Sequence, residues 1–215
     1  MRAWPDPASL AQRLPLPPGV TLRHFTPAER DQLPEQLCAW YPAVRVGAES
    51  VFLDRAWLRA RCTADDQPDA PVLALCVAAA GDPVGLLSFE AQPHAATLHA
   101  RLGVLAPSHR SGLLGFLGFQ AFELLGELTE AELLLVWVTL QSRGQQRFAA
   151  RRGFRLCGIV PGFDRDARAD GSSRRVPEAL FAKLRVAADQ VERPAADQLD
   201  PHTAALLALI WPEAG

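Results

Sequence analysis

The residues whose types and spacing carry most chemistry are Pro107-Ser108-His109-Arg110-Ser111-Gly112-Leu113-Leu114-Gly115, a tight polar turn between a strand pattern and a helix pattern. A helix that opens from such a turn stacks unpaired backbone N–H groups at the positive end of its dipole, which makes an anion site. Four histidines lie near it or in the strands leading to it. His24 falls in the first strand, His94 in a connecting turn, His99 inside the strand before the turn, and His109 in the turn itself. An imidazole with a pKa near 6.5 can take or give a proton at neutral pH. Glu90 closes the preceding strand and offers a carboxylate. A dinucleotide site fits badly, because G-x-G-x-x-G should follow the first strand of a parallel unit. This turn has Gly112, then Gly115 and Gly118, and it follows a hairpin. Gly-Lys-Ser/Thr is missing, which excludes a P-loop.

These groups need a scaffold, and the patterning supplies one. Prolines at 5, 7, 15, 17 and 18 leave the first 19 residues as an arm with room for one turn of helix at Ala8–Leu14. Val20–Phe25 alternates as a strand, and Thr26-Pro27-Ala28-Glu29 is a helix start with cap, proline and capping-box glutamate. Glu49 to Cys62 reads as a second helix. Val72–Ala80 and Val84–Glu90 flank Gly81-Asp82-Pro83 as an antiparallel hairpin. In the strand Thr97–Leu105, alternation puts Leu98, Ala100 and Leu102 on one face and His99, Arg101 and Gly103 on the other. A buried helix is expected from Phe116 to Leu128. Leu133–Leu140 is apolar throughout, as a strand covered on both faces should be. Ser142–Arg152 reads as a helix stopped by Gly153, and Phe154–Val160 as a strand. Pro161–Arg175 reads as a loop. Glu178–Leu184 fits helix by propensity. Asp200-Pro201 caps a short apolar helix that must dock on something.

This order of elements, with the turn and the later run Gln145-Gln146-Arg147-Phe148-Ala149-Ala150-Arg151-Arg152-Gly153-Phe154, resembles the GNAT superfamily of acyl-CoA-dependent N-acyltransferases over roughly residues 20–184. The resemblance implies an α+β fold: a mixed, twisted sheet of six or seven strands with helices on both faces. It makes 178–184 a final strand. The fourth and fifth strands should splay after a bulge near Gly103–Leu105 and admit a pantetheine arm. Acetyl-CoA would be the co-substrate, with an amine of a small molecule or peptide as acceptor and a homodimer allowed. The family's phosphate loop has Gln or Arg, two residues, a glycine, one residue, then glycine or alanine. Matching Leu105-x-Pro107 to the family's apolar-x-proline makes Arg110 first and Gly115 last, with Leu113 at the first glycine. The other register starts at His109 and ends at Leu114. The implied cofactor-binding set is Val104, Leu105, His109, Arg110, Ser111, Gly112, Leu113, Leu114, Gly115 and Ser142. Six residues before Leu105 the count reaches His99, where many members keep the general base; Glu90 is the second candidate. Ala149 stands where many members have a tyrosine that protonates the departing thiolate, and Tyr41 is the chain's single tyrosine. Trp40-Tyr41-Pro42 and Trp57 fall in the segment that covers the family's acceptor pocket.

Composition bounds the rest. The 215 residues are 49% hydrophobic with a formal net charge of −2, so no basic field points to nucleic acid or an anionic membrane. Residues 20–186 are expected as the catalytic domain, 1–19 as the arm, and 187–215 as linker and helix. The start lacks an apolar signal segment, and no run approaches the roughly 20 apolar residues of a membrane span. Cys38, Cys62, Cys76 and Cys157 form no C-x-x-C pair, which points to free thiols rather than a metal site, in a cytoplasmic protein.

Overall fold

Thr26 fixes where the first long helix begins: its hydroxyl accepts from Glu29 N–H, and the Glu29 carboxylate answers by accepting from Thr26 N–H. This reciprocal cap satisfies two donors that the first helical turn leaves open. In the computed structural model, which describes residues 1–110, 117–168 and 170–211, that helix is α2 (Pro27–Trp40). The other helices are α1 (Pro7–Arg13), α3 (Arg55–Arg61), α4 (Leu117–Leu128), α5 (Arg143–Arg151) and α6 (Pro201–Ile210). The strands are β1 (Val20–His24), β2 (Val72–Ala79), β3 (Asp82–Gln92), β4 (Thr97–Leu105), β5 (Leu133–Thr139), β6 (Arg155–Ala167) and β7 (Ser173–Leu184). They form one seven-stranded mixed sheet in the order β1-β2-β3-β4-β5-β7-β6, with helices on both faces.

One face of the sheet packs under α1, α4 and α5, where Leu10, Leu75, Phe89, Leu98, Phe122, Leu134 and Phe154 share a core. The N-terminal segment belongs to that core, since Leu10 is fully buried. The other face packs under α2, α3 and the 3-10 turns between them through Phe25, Leu37, Phe52, Leu58, Leu86 and Leu102. Leu98 and Leu102 therefore lie on opposite faces, against the expectation from strict alternation. Ser88 alone faces the two residues Arg101 and Leu102, because the register runs Leu87↔Gly103 and then Phe89↔Ala100. The extra residue flips the parity of the strand. Ser88 Oγ donates to Leu102 O at 2.8 Å and ties off the bulge. The expected bulge exists, at Arg101–Leu102 rather than Gly103–Leu105.

Three further expectations change. The helix expected at 49–62 is two pieces, a 3-10 turn Ala48–Leu53 and α3, because the Asp54 side chain accepts from Ala56 and Trp57 N–H and caps a new helix. The expected loop at 161–175 is most of a long hairpin, β6 pairing β7 from Arg155↔Ala182 out to Ala167↔Ser173. β5 is not covered alike on both faces: Leu134, Val136 and Val138 are buried, while Leu133, Leu135, Trp137 and Thr139 are half-buried. On that second face Phe163 of β6 stacks on Trp137, with ring centroids 3.9 Å apart. The apolar run thus lines a cleft instead of a second core. The segment at 178–184 is strand, as the resemblance implied. The C-terminal helix α6, capped by Asp200, lies along β6, where Arg155 Nη1 donates to Ile210 O at 3.3 Å.

Candidate active site

β4 and β5 run parallel and pair from Thr97↔Leu133 to Ala100↔Val136; beyond that point they part. The split starts at the bulge, so the last residues of β4 have a free edge toward β5. Ala106 N–H bonds Val84 O at 2.7 Å, which fixes the alternation of β4 against β3. By that alternation Val104 turns its N–H and C=O to β3, while Gly103 and Leu105 present theirs to the open side. Of the expected pair, Leu105 rather than Val104 is the backbone group available in the wedge. Gly103 joins it, because its missing side chain leaves the strand exposed there.

The polar turn begins as a 3-10 turn, Pro107–His109, and Ser108 Oγ lies 2.9 Å from His109 Nδ1. Arg110 reaches back across the mouth of the wedge, donating from Nε to Leu105 O at 2.9 Å and from Nη2 to Trp40 O. It joins the end of β4 to the end of α2. Ser111, Gly112, Leu113, Leu114 and Gly115 lie outside the described residues. Ser142 caps α5 by accepting from Gln145 N–H at 3.3 Å, so its oxygen is engaged within the helix start.

On the cleft face His99 stands directly across from Glu90 and beside Leu135. Burial lowers its pKa, against the opposing charge of Glu90, so the ring is neutral at pH 7. Its Nε2 is buried and has no hydrogen-bond partner among the described residues. A neutral imidazole with an unspent nitrogen has a lone pair that can accept a proton, though Nε2 is closed off from solvent here. Glu90 is not equivalent to it. Arg61 Nη2 donates to its Oε1 at 2.8 Å, and Arg101 Nη1 donates to its Oε2. Both oxygens of Glu90 are thus held by guanidinium groups, which join it to a charge network with Arg61 and Arg101. Arg101 also grips Glu49, from Nε at 3.1 Å and Nη2 at 3.4 Å. His24 and His94 lie away from this cluster, on β1 and in the turn before β4.

The wall opposite β4 was not legible in the sequence. Glu178 pairs with Thr139 of β5 and with Val160 of β6, and it faces the cleft on the same side as Trp137. Burial, then the charges of Asp164 and Glu49, push its carboxyl up to about 7. Asp164 of β6 accepts from Ala48 N–H at 2.7 Å and so ties the hairpin to the 3-10 turns. Tyr41 lies within reach of the charges of Asp166, Asp164, Glu178 and Arg110; partial burial, then the three carboxylates, raise its phenol above the usual value. Trp57 packs edge-on to Phe52 at 5.0 Å and belongs to the covering layer. A lone carboxylate within the apolar run Val176–Leu184 was the signal that could have revealed Glu178.

Glu178 is uncomfortable as an anion, which has a measurable consequence. Its folded pKa exceeds the unfolded carboxylate value, so its penalty is absent below about pH 4 and grows as pH rises through 7. The groups facing it are Asp164 and Glu49, with Arg101 already committed to Glu49 and Glu90. Glu178→Gln should stabilise the fold at pH 8 by about 1 kcal/mol, after discounting for solvent screening of a half-exposed group. Urea unfolding at pH 8 and pH 4 checks this, with no gain expected at pH 4.

Among the described residues no group of three or more His, Cys, Asp or Glu could hold a metal ion, and no helix is long and apolar enough to cross a membrane. No protein-family model matches the sequence, and no curated protein matches it. Solved structures do match the fold. Aminoglycoside 6'-acetyltransferase type Ii is 16% identical, with a TM-score of 0.52, over 80% of this chain and 99% of that one. A probable acetyltransferase of the GNAT family from Chromobacterium violaceum is 14% identical, with a TM-score of 0.58, over 85% and 94%. The ribosomal L7/L12 alpha-N-protein acetyltransferase RimL, solved with coenzyme A, is 12% identical, with a TM-score of 0.57, over 80% and 97%. The seven-stranded mixed sheet, parted between β4 and β5, has the fold of the GNAT acetyltransferases.

Proposed function

We propose that this protein is an N-acetyltransferase that moves an acetyl group from acetyl-CoA to an amine of a small molecule or peptide. The observation that carries the reading is the parting of β4 from β5 beyond Ala100↔Val136, one rung after His99 and its unpartnered Nε2. RimL binds coenzyme A on the same fold, which supports acyl-CoA as the co-substrate. Bound acetyl-CoA supplies an acetyl thioester. His99 Nε2 takes the proton that the acceptor ammonium must lose before its lone pair can form the C–N bond. Leu105 N–H, turned to the wedge, is the donor for the carbonyl oxygen as charge builds on it. The C–S bond breaks and the thiolate takes up a proton, so CoA leaves as the thiol. Backbone N–H groups of Arg110 and the turn after it would hold the phosphates, with Gly103 bonding the pantetheine arm in strand fashion. The four free cysteines support a reducing, cytoplasmic setting.

Calorimetry tests the first requirement. Acetyl-CoA should bind with a dissociation constant well below 1 mM, and no heat at millimolar ligand would sink the reading. A second reading is a silent module that binds acyl-CoA without turnover. It is favoured by Ala149, which is fully buried and puts no hydroxyl where many GNAT enzymes have one. Release of free thiol over a panel of amines separates the two.

A further inference from the structure

α6 is apolar on every side, yet only one side of it meets the protein. From Pro201 to Ile210 it carries no Asp, Glu, Lys or Arg, and none of its residues is fully buried. Ala204, Leu207 and Ile210 are half-buried and mark the side turned to the protein. His202, Ala205 and Leu209, spaced i, i+3 and i+7, share the solvent side, where Leu209 is 81% exposed. A helix apolar all round is normally enclosed. The strand beside it repeats the problem. β6 ends the sheet and pairs only with β7, so its outer edge is unpaired, and Leu156, Ile159 and Val160 are exposed along it. Between strand and helix runs a groove of about 590 Å³, lined mainly by Leu156, Cys157, Ile159, Leu206, Leu209 and Ile210.

We propose that this face is covered by a second copy of the chain, with α6 packing antiparallel on α6 about a two-fold axis. The charges at its two ends carry the choice of occupant. At the C-terminal end Arg155 Nη1 donates to Ile210 O at 3.3 Å, and the Arg193 guanidinium lies over the Trp211 ring, 4.2 Å from its centroid. At the N-terminal end stand Asp197 and the capping Asp200. A two-fold axis turns one helix end for end against the other. The acidic end of each copy then meets the basic end of its mate, and the two helix dipoles run opposed. A lipid surface matches less well. A helix lying in a bilayer interface needs a strongly polar face opposite its apolar one, and α6 has no charged residue to build it.

The dimensions set the strength. α6 is about 15 Å long, and with the strand beside it the face is about 20 Å across. Two such faces bury on the order of 1,000 Å² in total, the low end for a specific interface, which fits a reversible dimer in the micromolar range. The axis passes beside Ala205, whose small side chain lets the helices approach. β7 lies between β6 and β5, so the wedge beyond Ala100↔Val136 stays open in the dimer.

Sedimentation velocity of the full chain without ligand, across roughly 1–100 μM, should show monomer passing to dimer. Because no acyl-CoA enters the measurement, failure of the acetyltransferase reading leaves it untouched. Leu209→Glu, at a position open to solvent in the monomer, should weaken association by about tenfold or more while the Tm of dilute protein stays at the wild-type value. A crosslink reads the geometry directly. In a Cys157→Ser background, Ala205→Cys should oxidise to a disulfide-linked dimer. His202→Cys should not, because one turn from the axis on each helix leaves the two copies about 10 Å apart along it, beyond disulfide reach. A monomer throughout the range, a dimer that Leu209→Glu leaves intact, or an Ala205→Cys variant that stays unlinked overturns the inference. Monomer that floats with phosphatidylcholine vesicles would give the face to a lipid surface and overturn it as well.

Discussion

Replacing His99 with alanine should lower kcat at neutral pH by about 10² or more, the usual range for losing a general base. The expectation rests on a neutral ring whose Nε2 is unspent and on its place one rung before the last pairing of β4 with β5, Ala100↔Val136. Acetyl-CoA affinity should stay within about twofold, because backbone groups of β4 and the turn after it supply that binding. The defect should shrink as pH rises toward the pKa of the acceptor amine, where free amine no longer needs a base. In wild type the acid limb of kcat/KM should fall below pH 6.5, since burial moves the His99 pKa down from that value. A His99→Ala variant with wild-type kcat at pH 7 would hand proton removal to bulk water. A uniform loss at every pH would make His99 structural.

How far the sequence could see is explained by where each signal was local. Thr26, Asp200 and Gly153 marked helix ends correctly, because caps depend on neighbours a few residues away. The order of strands and the parting of β4 from β5 followed from the resemblance carried by the turn and the α5 run. Asp54 was missed because a helical apolar pattern continued through it, although its carboxylate is a better cap than a mid-helix residue. The bulge at Arg101–Leu102 depends on a hydroxyl from the neighbouring strand, Ser88, which no pattern within β4 reveals. One residue of slip then moved Leu102 to the other face and freed Gly103 and Leu105 for the wedge. Glu178 and Asp164 escaped for a similar reason. Their meaning lies in the pairing of β6 with β7, which is a tertiary fact.

Arg101→Ala should be the most damaging single substitution for stability near the site, by about 3 kcal/mol at pH 8, because it leaves the partly buried Glu49 carboxylate without a guanidinium and Glu90 with Arg61 alone. For a chain of this size that is a fall in Tm of roughly 6–12 °C. The sign of the pH dependence follows from Glu49. Burial raises its pKa even with Arg101 in place, and Arg101 pulls it back down. Without Arg101 the folded pKa climbs further above the unfolded value. The added penalty is therefore absent at low pH, where Glu49 is protonated in both states, and complete once pH has passed the new folded value. Melting curves at pH 5 and pH 8 should show a much smaller deficit at pH 5. The double variant Arg101→Ala/Glu49→Gln should recover part of the loss at pH 8, since the uncharged amide removes one stranded charge while leaving Glu90 its bond to Arg61. If the single and double variants melt alike at pH 8, Arg101 stabilises through packing of its stem and not through the charges it joins. The same arginine sits in the bulge that parts the strands, so the charge network and the wedge should fail together: Arg101→Ala should weaken acetyl-CoA binding, which Glu178→Gln, on the opposite wall, should leave near wild type.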